Sequence, residues 1–247
     1  MIASPIGSAH ALAALTLTLA FLLTPSTKAA TLEYLLPPPP PDNSPTTQQD
    51  LAQLHRLELT RTPAEEIAAR ADVEETVFIF RDILGPAFTP LNLPKTADLF
   101  ARLAEHANAD LNRAKQAWSR TRPARLDPTL HPCIATPATA SYPSGHAMLG
   151  RLYAAILARM LPEHRQALFA RAATYARHRE ICGLHYPTDT TAGTEAGTAL
   201  AAELLLDPTR TLAIAQSELR PALGLPPIPP QSTTREEAPP SEDFRVR

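Results

Sequence analysis

The chain has 247 residues, 44% of them hydrophobic, and a formal net charge of -2. That length supports one domain with a real core, and the even charge balance, with no Lys/Arg cluster, excludes a nucleic-acid partner. Aromatic residues at 5%, with many alanines and leucines, favour helices over strands, so any anion-binding function has to be local.

Residues 11–24 form an apolar run of signal-peptide length, followed by Pro25 and small residues, with a cleavage point after Ala29. No Lys or Arg precedes the run, and an uncleaved anchor is the rival reading, although the run is short for a bilayer span. Residues 1–29 are therefore read as an export signal. Residues 30–49 follow as a proline-rich arm, with five consecutive prolines from Pro37 to Pro41 held extended and a polar linker from Asp42 to Gln49. The folded body is expected over 50–220. Residues 221–247, rich in proline and charge, read as a disordered tail.

Within the body the reading is helical throughout. Leu51, Leu54 and Leu57 recur at helical spacing. Thr62-Pro63-Ala64-Glu65 combines a capping threonine, a first-turn proline and a glutamate three residues after the cap, and starts a helix expected to reach Leu84 before Gly85-Pro86. Further helices are expected over 96–121, 146–161, 164–182 and 189–206, and no stretch alternates cleanly enough to require a strand.

Two of these helices carry charge on the wrong face. In 96–121, Phe100, Ala104, Ala107, Leu111, Ala114 and Trp118 form one apolar stripe. Lys115 falls roughly 40° and Arg122 roughly 20° from Leu111, inside the stripe, whereas Arg102, Arg113 and Arg120 fall on the solvent side. In 164–182, Leu168, Ala172, Tyr175 and Cys182 mark the apolar face, and Arg179 lies roughly 20° from Leu168. Buried cations need partners. Snorkelling or internal ion pairs would supply them, but three inward cations with few inward acids point to a bound anion.

Pro143-Ser144-Gly145-His146 then opens a helix, and a Ser-Gly pair there offers unpaired amides, a hydroxyl and the positive end of a helix dipole to an anion such as phosphate. His146 adds a group able to exchange a proton near neutrality. His185 and Asp189 are four residues apart; on a helical turn the carboxylate holds one ring nitrogen and leaves the other free to attack. Cys133 and Cys182 are the only cysteines; in an exported chain the pair suggests a disulfide, in a cytosolic one two buried thiols. Neither has metal-ligand spacing.

Lys115 to Arg122-Pro123, Pro143 to His146, and Arg179 to His185 to Asp189 resemble, with every internal spacing matched, the three-part signature of the type 2 phosphatidic acid phosphatase superfamily. One position departs, His178 standing where the family has serine. Within that superfamily the chain is similar to the class A bacterial non-specific acid phosphatases. The likeness rests on Leu35-Leu36-Pro37-Pro38-Pro39-Pro40, Ser141-Tyr142 and Ile181-Cys182-Gly183, and runs over about residues 32–215.

The resemblance implies an all-α, single-domain helical bundle with a Cys133–Cys182 disulfide, periplasmic or secreted, and commonly a homo-oligomer without stable membrane association after signal cleavage. It implies hydrolysis of small-molecule phosphomonoesters without a cofactor or metal. Lys115, Arg122, Ser144, Gly145 and Arg179 would hold the phosphoryl oxygens. His185 would attack phosphorus, Asp189 would orient it, and His146 would protonate the leaving group, with an acidic pH optimum. The rival readings are a vanadium-dependent haloperoxidase, a membrane lipid phosphatase, and an exported phosphate-binding protein with no turnover.

Overall fold

Helix starts follow the capping chemistry of the sequence in a computed structural model that describes residues 31–228. Helix α1, Pro45–Thr60, begins under Ser44, whose hydroxyl accepts from the Thr47 amide at 3.2 Å. Helix α2, Pro63–Ala71, has the reciprocal bonds of a capping box: the Thr62 amide donates to Glu65 at 2.8 Å, and the Glu65 amide to Thr62 at 3.2 Å. The long helix α3 is Pro94–Trp118, α4 is Gly145–Met160, α5 is Arg165–Ile181, α6 is Pro187–Leu204 and α7 is Thr209–Ile214. Among the described residues no strand occurs. The export segment 1–29 and the tail from 229 lie outside the described residues.

Helix α4 is the centre of the packing, lying against α5 on one side and α6 on the other. Its Leu149, Leu152, Leu157 and Met160 have no solvent exposure, as expected of a helix apolar on nearly all faces. The α4–α6 approach is close enough to demand glycine. A Cβ on Gly193 would lie 2.3 Å from the Ser144 carbonyl oxygen, and one on Gly197 2.3 Å from that of Met148. This contact brings the helix carrying Asp189 against the loop that opens α4, and the Ser144 amide donates to the Asp189 carbonyl at 3.0 Å.

Four expected boundaries move. Residues 45–49, expected as linker, are helical because Ser44 and Pro45 supply a cap and a first-turn proline; Thr47 is fully buried. The helix expected over 62–84 stops at Ala71 and resumes only as short turns, Val77–Phe80 and Arg81–Leu84. The break frees backbone carbonyls: Val73 accepts from His146 at 3.0 Å and Glu74 from the Tyr175 hydroxyl at 2.5 Å. Helix α3 ends at Trp118 because Ser119 takes a left-handed conformation, φ 48°. After Pro221 the chain does not leave at once. Residues 220–222 are helical, and Leu223, Leu225 and Ile228 pack on the core.

Cys133 and Cys182 form a disulfide, tying the loop before α4 to the end of α5. The Tyr142 hydroxyl donates to the Pro37 carbonyl at 2.7 Å, and Thr47 to that of Pro41 at 2.9 Å, so the proline run is fastened to the body at both ends.

Candidate active site

The three separated sequence blocks meet around one cavity of about 350 Å³. Lys115, Arg122, Gly145, His146, Arg179 and His185 all line it, together with Glu75, Asn108, Leu111, Asn112, Pro137, Thr139 and Leu184. Lys115 reaches it from the last turn of α3, Arg122 from the loop that follows, Gly145 and His146 from the first turn of α4, Arg179 from the last turn of α5, and His185 from the turn before α6.

Each cation is held by backbone carbonyls rather than by a carboxylate. Lys115 Nζ donates to the Ala140 carbonyl at 2.6 Å. Arg122 donates to the Thr139 carbonyl at 2.9 Å and to that of Leu184 at 3.0 Å. Arg179 donates to the Ala69 carbonyl at 2.5 Å, while its buried Nε finds no hydrogen-bond partner. Carbonyls fix these side chains without neutralising them, and the cavity keeps its positive charge. Burial, then the charge of Arg122, push the Lys115 ammonium down to about 7. Burial likewise brings Arg122 down to about 10 and lowers Arg179.

His185 sits between a donor and an acceptor. Arg122 Nη1 lies 3.0 Å from Nε2, and the Asp189 carboxylate 3.2 Å from Nδ1. A guanidinium can only donate, so Nε2 carries the lone pair and the ring proton is on Nδ1, facing Asp189. Burial first, then the Arg122 and Lys115 charges, push the imidazole down to about 3 against the raising effect of Asp189. The ring is therefore neutral over the ordinary pH range, with its unprotonated nitrogen at the cavity.

Asp189 does not line the cavity; it is fully buried behind His185. Its Oδ2 accepts from Ser141 at 2.5 Å and from the Tyr186 amide at 3.0 Å, and its Oδ1 from Arg120 at 2.6 Å. Burial raises this carboxyl, but the His185 hydrogen bond, then the Arg120 charge and the Ser141 hydroxyl, hold it below its ordinary value. Ser144, expected among the phosphate ligands, also stands behind the wall. It is buried, and its hydroxyl oxygen accepts from the Ala147 amide at 3.4 Å as the cap of α4.

Arg120 overturns the helical-wheel expectation that it faces solvent. Its side chain is 1% exposed and donates to Thr188 at 2.7 Å and Thr47 at 3.2 Å, pairs with Asp50 at 3.4 Å, and lies 4.0 Å over the Tyr186 ring. The wheel fails because the chain leaves the helix at Ser119, so periodicity no longer sets the direction of residue 120.

Ser141, singled out in the sequence without a role, and Glu75, not singled out at all, both belong to the site. Ser141 stands beside the Pro-Ser-Gly-His stretch and is fully buried. Glu75 lies in the loop after α2, distant in sequence from every motif, and no local pattern marks it. Its Oε1 is 2.8 Å from His146 Nδ1, and the other ring nitrogen of His146 meets the Val73 carbonyl. His178 is drawn into a separate cluster: its Nδ1 lies 2.6 Å from Asp72, which Arg171 also grips at 2.5 and 2.9 Å. The Asp72 cluster clamps the end of α2, whose Ala69 carbonyl holds Arg179.

Residues 101–211 match the model of the family described as the PAP2 superfamily. The chain is 32% identical over 161 residues to a non-specific acid phosphatase of Salmonella typhimurium, a match spanning 61% of this chain and 63% of that protein. It is 34% identical over 106 residues to an acid phosphatase of Zymomonas mobilis, covering 41% of this chain and 40% of the relative. The chain thus spans less than two thirds of the curated relatives it matches. A crystal structure of a bacterial vanadium-dependent iodoperoxidase shares the helical fold with a TM-score of 0.53 and 17% identity, over 69% of this chain and 52% of the other.

Proposed function

We propose, from the PAP2 superfamily domain that residues 101–211 carry, that this chain is an exported acid phosphatase. It hydrolyses phosphomonoesters of broad structure through a phosphohistidine on His185, without a metal. The observation that carries the reading is a neutral, carboxylate-oriented imidazole opening into a cavity lined by three buried cations.

In this mechanism Lys115, Arg122 and Arg179 bind the phosphoryl oxygens with the Gly145 amide at the start of α4. Ser144 contributes from behind the wall, its hydroxyl oxygen capping the helix whose first amide is Gly145. Charge on these oxygens in the transition state meets donors already in place, which is where most of the acceleration comes from. The three cations supply the positive charge that metal ions supply in other phosphotransferases.

His185 Nε2 attacks phosphorus in line and the ester P–O bond breaks. The alkoxide takes its proton from His146, while Asp189 stabilises the charge on the phosphorylated imidazole through Nδ1–H. Water then attacks the phosphohistidine, giving its proton to His146; the P–N bond breaks, inorganic phosphate leaves, and His185 is again neutral.

The location is periplasmic or secreted. Among the described residues no helix is long and apolar enough to cross a membrane. Assay of purified protein against a panel of phosphomonoesters, with chelator present and from acidic to neutral pH, tests the reading. Turnover should be lost in His185→Ala while inorganic phosphate still binds, a pattern that a non-catalytic phosphate-binding protein cannot give.

A further inference from the structure

A site built to bind a phosphate anion contains an anion of its own. Glu75 lines the same cavity as Lys115, Arg122 and Arg179, with its side chain about one third exposed, at 35%. Besides the 2.8 Å contact with His146, its Oε1 lies 3.1 Å from where a Cβ on Gly145 would be. The carboxylate therefore rests against the first residue of α4, where a helix N-terminus attracts a phosphoryl oxygen. Burial opposes its ionisation, but the His146 hydrogen bond and the charges of Lys115 and Arg179 keep it below the ordinary carboxylate range.

Its placement is enforced by the helices that carry the motifs. The Val73 carbonyl is held by His146 on α4, the Glu74 carbonyl by Tyr175 on α5, and the Glu75 carbonyl by Tyr153 on α4 at 3.5 Å. The loop is thus fastened on both sides of the site, and the one carboxylate it presents to the cavity faces His146.

We propose that Glu75 is the resident counter-ion of the cradle and the positioning residue of His146. It holds the acid–base imidazole by Nδ1 in the empty site and yields to an entering phosphoryl group, and its charge limits how tightly phosphate is retained after hydrolysis. The inference rests on the phosphatase reading above. It follows from the charge inventory: three cations holding a tetrahedral dianion with no opposing charge would release product slowly, and a fixed negative charge beside them weakens that grip.

Calorimetric titration with inorganic phosphate separates this role from a structural one. Relative to wild type, Glu75→Gln, which keeps size and hydrogen bonding, should bind phosphate about tenfold or more tighter. The Ki for phosphate as product inhibitor should fall in parallel, with KM and kcat both reduced. Glu75→Asp, which keeps the charge, should stay within a few-fold of wild type in phosphate affinity. A thermal melt of each variant identifies loss of fold, and the Asp variant carries the comparison if Gln does not fold. Wild-type binding with equal or weaker binding by Glu75→Gln, or an Asp variant that tightens like Gln, overturns the inference alone. Failure of the wild type to bind phosphate at all overturns the phosphatase reading and this inference with it.

Discussion

Arg120 and Asp189 lie 2.6 Å apart with side chains 1% and 0% exposed, so the group that orients His185 is itself held by a fully buried ion pair. The same nitrogen, Nη1, also donates to Thr188 on α6, while Nη2 donates to Thr47 and pairs with Asp50 on α1. A chain of contacts thus runs from α1 through Arg120 and Asp189 to the His185 ring.

Removing the cation from this pair leaves Asp189 buried and uncompensated. Arg120→Met should destabilise the protein by about 3–5 kcal/mol, read from urea unfolding at neutral pH. Arg120→Lys preserves the charge but not the fork that reaches Thr47, Asp50, Thr188 and Asp189 together. It should unfold less readily than Arg120→Met yet still lose kcat.

The pH dependence of binding follows from Lys115. Its ammonium is pushed down to about 7 by burial and then by the Arg122 charge, so the cradle holds its full charge below that pH and loses one unit as pH rises through it. A phosphate anion binds the charged form better, and kcat/KM, which reports the free enzyme, should fall on the alkaline side of about pH 7. Arg retains its proton far above that range. Lys115→Arg should therefore move the alkaline limb upward even if its maximum rate is lower. A limb that stays in place would assign it to another group.

The disulfide between Cys133 and Cys182 spans 49 residues of sequence. Closing a loop of that size stabilises a domain by about 2–5 kcal/mol, so Cys182→Ser should lower the unfolding free energy by that amount, read from urea unfolding. The linkage also anchors the turn between α5 and His185, and the variant should show a reduced kcat before it shows global unfolding.

Spacing within helices made part of this site legible. Lys115 and Arg179 lie on continuous helices, where a period of 3.6 residues sets direction, and both face the cavity as the apolar stripes of Leu111 and Leu168 predict. Arg122 reaches the cavity as well, but from a loop after α3 has ended, so its direction is set by Ser119 and Pro123 rather than by the wheel. The same helix end reverses Arg120. Glu75 was out of reach for a different reason: its proximity to His146 depends on how α2 docks on α5, a tertiary contact with no local signature. The helix break at Asp72 had the same cause. The carboxylate is drawn to Arg171 and His178, partners about a hundred residues away.

In the proposed mechanism His185 becomes covalently phosphorylated through its cavity-facing nitrogen. Acid-free quenching of the protein during turnover of a phosphomonoester, followed by peptide mass spectrometry under conditions that preserve phosphohistidine, tests it directly. One phosphoryl group is expected on the peptide containing His185, absent from His185→Ala and longer-lived in His146→Ala, which lacks the base for hydrolysis. An active enzyme with no adduct, or with an adduct that persists in His185→Ala, would contradict it.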